Sequence, residues 1–450
     1  MAKKDVHQYV CSNCGAVSAA WSGRCHNCGE WNTLVEQLPV STSTAVSGGA
    51  VLQTQNLDVS SAKDHKRLPT KISEVDDVLG GGFVAGSVNL IAGQPGIGKS
   101  TLLLQLADRL ASQVLVLYVS AEESAHQVSL RAERLGVKAK QLQIATANSA
   151  NDIAATIGGG EYRIVVVDSV QMISANELSS APGTVSQITA STQLITEAAK
   201  RTNTAVILVG HVTKEGSIAG PKVLEHVVDV VLQLEGDRYG GFKLLRAVKN
   251  RYGSTNEAGI FEMKNEGLAP VENPSAALLA ERQVSDGSIV LATLEGTRPL
   301  LVEVQALVNP TSYGYPKRAA SGLDLNRLNL LVAMLEKRTK LKLGDKDIYV
   351  NIVGGIKISE PAADLAVCMA IGTAAKGLQL QQNLVVFGEV GLLGEVRHVP
   401  FVEKRLAEAK KLGFDGAIGP KTSGLSAAQA KTLHVATDVR SALNQYLRKE

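Results

Sequence analysis

One stretch of eight residues limits the architectures open to this chain more than any other. Gly93-Gln94-Pro95-Gly96-Ile97-Gly98-Lys99-Ser100 follows the apolar run 88–92 and leads into a helical run from Thr101 to Leu110. Strand, glycine loop and helix start in that order make a P-loop. Backbone N–H groups and the positive end of a helix dipole converge on one point, where polyphosphate can sit. The glycines let backbone approach phosphate and take up positive φ where the loop requires it. Gly93 through Thr101 are therefore the expected nucleotide-binding residues, with Lys99 reaching the outer phosphates and Ser100 holding Mg²⁺ through its hydroxyl.

A P-loop needs a parallel sheet behind it, and residues 63–275 supply the pattern for one: apolar runs alternating with amphipathic stretches. The spacing predicts strands at 88–92, 114–120, 142–146, 163–168, 205–210 and 227–234, and helices at 99–111, 124–135 and 184–202. Two predicted strands end in acids. Ile164-Val165-Val166-Val167-Asp168 places Asp168 where it would hold Mg²⁺ through water. Leu117-Tyr118-Val119-Ser120-Ala121-Glu122-Glu123 offers a carboxylate to activate the attacking water, with Glu122 the first choice and Glu123 the second. His211 ends a further strand, where it would either sense the γ-phosphate or make a structural hydrogen bond. Leu79-Gly80-Gly81-Gly82-Phe83 is a turn placed to lie near the nucleotide base.

Four of the five cysteines fall within residues 11–28 as two C-x-x-C-G knuckles, Cys11/Cys14 and Cys25/Cys28, with ten residues between Cys14 and Cys25. Such knuckles hold four thiolates around Zn²⁺. A segment this short buries little, so zinc would supply most of its folding energy, about 10–16 kcal/mol in comparable peptides. Trp21 and Trp31 are expected to cap its small core. The expected organisation is a zinc ribbon at 1–38, a small-residue linker at 39–62, the ATPase domain at 63–275 and a further domain at 282–450. No apolar run reaches the eighteen or so residues of a membrane span, and the start lacks a signal-peptide core. The expected location is therefore cytoplasmic, with no membrane partner. A net charge of +3 neither demands nor excludes nucleic acid, because local clusters decide binding.

Lys249-Asn250-Arg251-Tyr252-Gly253 completes a constellation. Lys249 and Arg251 alternate in an extended run, so both are expected on one face: either a solvated basic edge or a pair of cations reaching a neighbouring subunit's ATP. A four-cysteine ribbon, the P-loop at 93–100, this motif and the tail at 282–450 together resemble the bacterial RadA (Sms) family of recombination proteins. The family's motif usually reads Lys-Asn-Arg-Phe-Gly; here Tyr252 stands where Phe is usual. The resemblance implies an α/β fold: a RecA-like P-loop ATPase core with a parallel sheet, an N-terminal zinc ribbon and a C-terminal α+β domain like that of Lon protease. It implies ATP, Mg²⁺ and Zn²⁺ as cofactors, a hexameric ring similar to ring helicases, and branch migration of strand-exchange products. The implied partners are single-stranded and branched DNA and the RecA filament. By the same likeness, loops at about 174–186 and 214–222 face a DNA channel, the second carrying Lys214 and Lys222.

The tail's resemblance to the Lon proteolytic domain stops short of its chemistry. The family's Pro-Ser-Ala-Gly aligns with Pro361-Ala362-Ala363-Asp364, so Ala362 occupies the nucleophile position without a hydroxyl. The catalytic lysine falls near Val402, with Glu403-Lys404 matching the Glu-Lys after it. The reading is a scaffold that also offers a DNA surface: Tyr313, Tyr315, Lys317 and Arg318 interleave aromatics with cations, and Lys337, Arg338, Lys340 and Lys342 follow. Two alternatives stay open. One is an ATP-dependent peptidase that uses Ser359; the other is a nucleotide-gated adaptor whose ribbon recruits a protein and which moves no DNA.

Overall fold

A computed structural model describes residues 8–12, 16–37, 67–211, 222–236, 242–312, 314–380 and 383–448. The chain forms two compact units, Met1–Ala62 and Lys63–Glu450.

In the first unit, strands β1 (Gln8–Cys11), β2 (Val17–Ser18) and β3 (Leu34–Gln37) form an antiparallel sheet in the order β2-β1-β3. Its interior is Cys11, Cys25 and Leu34. The tryptophans do not cap this core as expected. Trp21 is 57% and Trp31 69% exposed, and the small interior is filled by Cys11, Cys25 and Leu34 instead. Arg24 instead lies over the Trp31 ring, 5.9 Å from its centroid.

The second unit is built on a nine-stranded sheet. Its elements are α1 (Ser73–Leu79), β4 (Val88–Gly93), α2 (Lys99–Ala111), β5 (Val116–Ser120), α3 (Ala125–Arg134), β6 (Leu142–Thr146), α4 (Ala150–Gly158), β7 (Ile164–Asp168), α5 (Val185–Thr202), β8 (Ala205–His211), α6 (Lys222–Val227), β9 (Val230–Gly236), β10 (Phe242–Asn250), β11 (Ala258–Lys264) and β12 (Gly267–Pro270). The strand order is β12-β11-β10-β9-β4-β8-β7-β5-β6. Strands β4 to β9 run parallel, while β10, β11 and β12 extend the sheet as an antiparallel meander. The central strands are buried on both faces, which is why they read as unbroken apolar runs. Val75, Leu102, Leu106 and Val128 from α1, α2 and α3 pack on one face. Ile153, Ile157, Ile188, Ile195 and Leu224 from α4, α5 and α6 pack on the other.

The chain continues through α7 (Pro274–Leu279), β13 (Ser288–Glu295), β14 (Arg298–Pro310), β15 (Arg318–Ser321), α8 (Leu325–Thr339), β16 (Lys346–Ile352), α9 (Asp364–Lys376) and α10 (Val402–Lys411). A seven-stranded mixed sheet runs β15-β16-β14-β13, then through strands Leu384–Val386, Gly416–Gly419 and Leu433–Val435. This sheet joins the first within one compact unit. Leu300 packs with Leu244, Ala258 and Ile260; Arg298 pairs with Glu74 at 2.6 Å; Arg246 pairs with Glu295 at 2.7 Å. No helix among the described residues is long and apolar enough to cross a membrane.

Candidate nucleotide site

The P-loop lies between β4 and α2, at the carboxyl end of a strand flanked by β8 and β9. Open parallel sheets place ligands at this end. A Cβ on Gly93 would meet the Leu234 carbonyl oxygen at 2.6 Å, so the strand has no room for a side chain there. Gly96 and Gly98 have φ of +78° and +114°, and Gly98 starts α2 in the left-handed region with no side chain capping the helix. An uncapped first turn directs its N–H groups into the loop. Ile97 is buried and anchors the loop, whereas Pro95 and Gly96 are exposed and Gln94, Ser100 and Thr101 are half-buried.

Lys99 is buried, and its Nζ donates to the carbonyl oxygens of Gly93 (2.8 Å) and Gln94 (3.0 Å). Desolvation lowers its pKa to about 8, opposed by the charges of Asp168 and Glu122. The same Nζ is 3.2 Å from Nδ1 of His211, whose Nε2 lies 3.4 Å from Glu122. Ser169 Oγ also donates to Glu122. Glu123 turns away into an ion pair with Arg131 on α3. Of the two acids, Glu122 is therefore the one beside Lys99 and His211. Asp168 ends β7 almost buried, and its Oδ2 accepts from the Tyr118 hydroxyl at 2.7 Å. Burial, reinforced by the Asp168 charge, pushes the Tyr118 hydroxyl far above its usual pKa, so it remains a donor. Ser100 and Asp168 offer a hydroxyl and a carboxylate, hard oxygen donors of the kind that suit Mg²⁺.

The motif at 249–253 does not continue as an extended run. A register shift between Ala247 and Lys249 distorts β10, the strand ends at Asn250, and Arg251 falls in the following turn. Both cations have partners in their own chain. Lys249 Nζ donates to the carbonyls of Glu225 and Val228, at the end of α6, and burial lowers its pKa. Arg251, half exposed, donates to Asp229 Oδ1 at 3.0 Å. Asp229 is buried and also accepts from the Val88 N–H (3.1 Å) and the Tyr252 hydroxyl. The hydroxyl that separates Tyr252 from the usual Phe thus has a defined partner. Asn250 accepts from the Tyr252 N–H at 2.9 Å, and Arg67 holds the Tyr252 carbonyl.

In the ribbon, Cys11, Cys25 and Cys28 bring their sulfurs within 4.8 Å of one another, the spacing of a thiolate metal site. Cys14, the fourth expected ligand, lies outside the described residues.

Three family models match parts of the chain. Residues 54–217 match the family described as an AAA domain, residues 9–36 the rubredoxin metal binding domain, and residues 329–423 the family described as subunit ChlI of Mg-chelatase. The chain is 48% identical over 422 residues to the DNA repair protein RadA of Pseudomonas aeruginosa, covering 93% of each chain. It is 46% identical over 427 residues to that of Halalkalibacterium halodurans, again covering 93% of each. The chain belongs to the RadA family of DNA repair proteins. Its core is a RecA-like ATPase that takes ATP, and its ribbon is a zinc ribbon. Among solved structures, that of the RadB recombinase aligns with a TM-score of 0.37 at 22% identity, covering 46% of this chain and all of that one.

The remaining sites read from the sequence of this RadA-family chain fall in several places. Ala362 is buried in a 3₁₀ turn (Pro361–Ala363), and Val402 is buried at the start of α10. Lys404 Nζ donates to the Thr297 carbonyl at 3.1 Å. Ser359 is exposed. The interior of this region holds a fully buried Arg405 that pairs with Glu360 and donates to the Ala292 carbonyl at 2.6 Å. Lys317 is exposed and Arg318 half-buried at the start of β15. Lys222 opens α6; Lys214 and Tyr313 lie outside the described residues. In the 174–186 loop, Gln187 fixes the backbone: it accepts from Ala175 N at 2.8 Å and donates to Ser180 O at 2.8 Å. Tyr118, Ser169, Asp229 and Arg67 were not singled out by sequence reasoning. Their roles arise from contacts between distant segments, which no local pattern signals.

Proposed function

We propose that this chain is a DNA-dependent ATPase that works as a closed ring, six subunits being the expected number. In this reading it drives branch migration of strand-exchange products made by the RecA filament, on single-stranded and branched DNA in the cytoplasm. The observation that carries the reading is the convergence of Lys99, Glu122, Asp168 and His211 at the carboxyl ends of parallel strands, beside an uncapped helix.

Gly93 through Thr101 bind the phosphates by backbone N–H donation, and Lys99 moves its donation from the loop carbonyls to phosphate oxygens. Ser100 and Asp168 would hold Mg²⁺, the aspartate through water, and the ion would neutralise charge on the transferring phosphate. Glu122, oriented by Ser169 and His211, accepts the proton of the attacking water. Lys249 and Arg251 act on the nucleotide of the neighbouring subunit, stabilising transition-state charge. Lys214, Lys222, Lys317 and Arg318 contact the DNA backbone. Cys11, Cys14, Cys25 and Cys28 would hold Zn²⁺ and so supply the ribbon's folding energy. The region after residue 282 is a scaffold without proteolytic chemistry, because Ala362 has no nucleophilic atom and Val402 no base.

A fluorescent three-stranded joint tests the reading. Wild-type protein with ATP should extend the joint, and the Glu122→Gln protein should bind it without moving it. Extension by Glu122→Gln at the wild-type rate would overturn the motor.

A further inference from the structure

We infer that Tyr118 is a positioning residue for the metal-holding carboxylate: its hydroxyl fixes which oxygen of Asp168 faces the nucleotide. The inference rests on the reading of Asp168 as a magnesium ligand. Tyr118 sits in the middle of β5 and points into the layer packed against α2. The same layer takes aliphatic residues, Val116 from β5 itself and Ile164, Val166, Ile207 and Val209 from β7 and β8. A tyrosine in such a layer brings a hydroxyl that must be hydrogen-bonded or leave a buried polar group unsatisfied.

The register supplies the partner. Tyr118 stands directly across from Val166, and Ser120 across from Asp168, so the ring reaches one pleat along β7 toward the carboxylate. The hydroxyl donates to Asp168 Oδ2 at 2.7 Å, with Tyr118 1% and Asp168 8% exposed. An aspartate carboxyl group on its own rotates broadly about its last torsion. Here a rigid ring, held by strand and helix packing, pins Oδ2, so that Oδ1 is the oxygen that would hold Mg²⁺ through water. Partners of this kind, which touch the ligand and not the metal, typically alter metal affinity by about 10–100-fold when removed.

Tyr118→Phe keeps the ring and removes the hydroxyl. The test follows binding of a fluorescent ATP analogue as Mg²⁺ is titrated, alongside binding in EDTA and the thermal midpoint. The Mg²⁺ midpoint should rise about tenfold in Tyr118→Phe, while binding in EDTA stays at the wild-type level. Asp168→Asn should raise the midpoint at least as far, and adding Tyr118→Phe to it should raise it no further. If Asp168→Asn moves the midpoint but Tyr118→Phe lowers only the thermal midpoint, the hydroxyl merely satisfies a buried group and the positioning role is wrong, with the magnesium reading intact. If Asp168→Asn leaves the Mg²⁺ midpoint unmoved, the magnesium reading itself fails and the positioning role fails with it.

Discussion

The Arg251 guanidinium lies 3.0 Å from a carboxylate oxygen of Asp229 in its own chain. Asp229 is buried and also bound by the Val88 N–H, so it is a fixed post, whereas Arg251 is half exposed. An arginine whose guanidinium rests on a fixed carboxylate while half of the side chain stays exposed can be offered to a neighbouring subunit. Arg251→Ala should therefore leave ATP binding near wild type and lower turnover about a thousandfold. Mixing Arg251→Ala with Lys99→Ala chains should restore part of the activity, because some interfaces then pair an intact loop with an intact arginine. Mixed rings as inactive as either parent would argue against action in trans.

Glu122 and Glu123 are adjacent in sequence but face different partners. Glu122→Gln should reduce turnover by about 10²–10⁴-fold with nucleotide binding retained. Glu123→Gln removes a partly exposed pair with Arg131 and should cost at most about 1 kcal/mol of stability, with turnover largely kept. Steady-state turnover and urea unfolding of both variants separate the two roles; the reverse ranking would assign the base to Glu123.

Glu295 lies where the two sheets of the second unit meet. Burial raises its pKa to about 7, opposed by Arg246 and reinforced by Glu235 and Glu360. The folded value is above the unfolded one near 4.5, so the folded state binds the extra proton. Its contribution to stability is fully present below about 4.5 and lost as pH rises through about 7. The thermal midpoint of wild type relative to Glu295→Gln should therefore fall between pH 5 and pH 8. Parallel curves for the two proteins would show that Glu295 does not titrate there.

Arg405 is fully buried and paired with Glu360. Arg405→Ala would leave that carboxylate largely buried without its cation, and should cost about 3–5 kcal/mol in urea unfolding. A loss below about 1 kcal/mol would mean that water reaches Glu360 and that the pair is not structural.

In the ribbon, the thiols of Cys11, Cys25 and Cys28 replace a hydrophobic core. Purified protein should carry about one zinc per chain, and Cys25→Ala should lose it together with the ribbon's fold. Zinc content by atomic absorption decides the point; a Cys25→Ala protein that keeps its full zinc would exclude Cys25 as a ligand.

How much of this was legible in the sequence depended on how local the cause was. Helix α2 was read with its observed limits, 99–111, because the glycine loop before it is a short-range signal. The apolar strands β4, β7 and β8 were read to within a residue at each end, since burial on both faces leaves an unbroken apolar run. The antiparallel strands β10 to β12 were not foreseen, and neither was the turn that takes Arg251 out of the strand, because both depend on pairing with distant segments. Trp21 and Trp31 were misplaced because bulky aromatics ordinarily mark a core, whereas the ribbon's small interior is already filled by Cys11, Cys25 and Leu34. Asp229 and Tyr118 carried no signal at all. One contacts Val88, 141 residues away, and the other looks like any core residue of a strand.

The most direct test of the central claim, a nucleotide site driven by contact with DNA, is ATP turnover at moderate salt with and without single-stranded DNA. Turnover should rise when DNA is added and be abolished in both conditions by Lys99→Ala. A wild-type rate that stays the same whether or not DNA is present would contradict it.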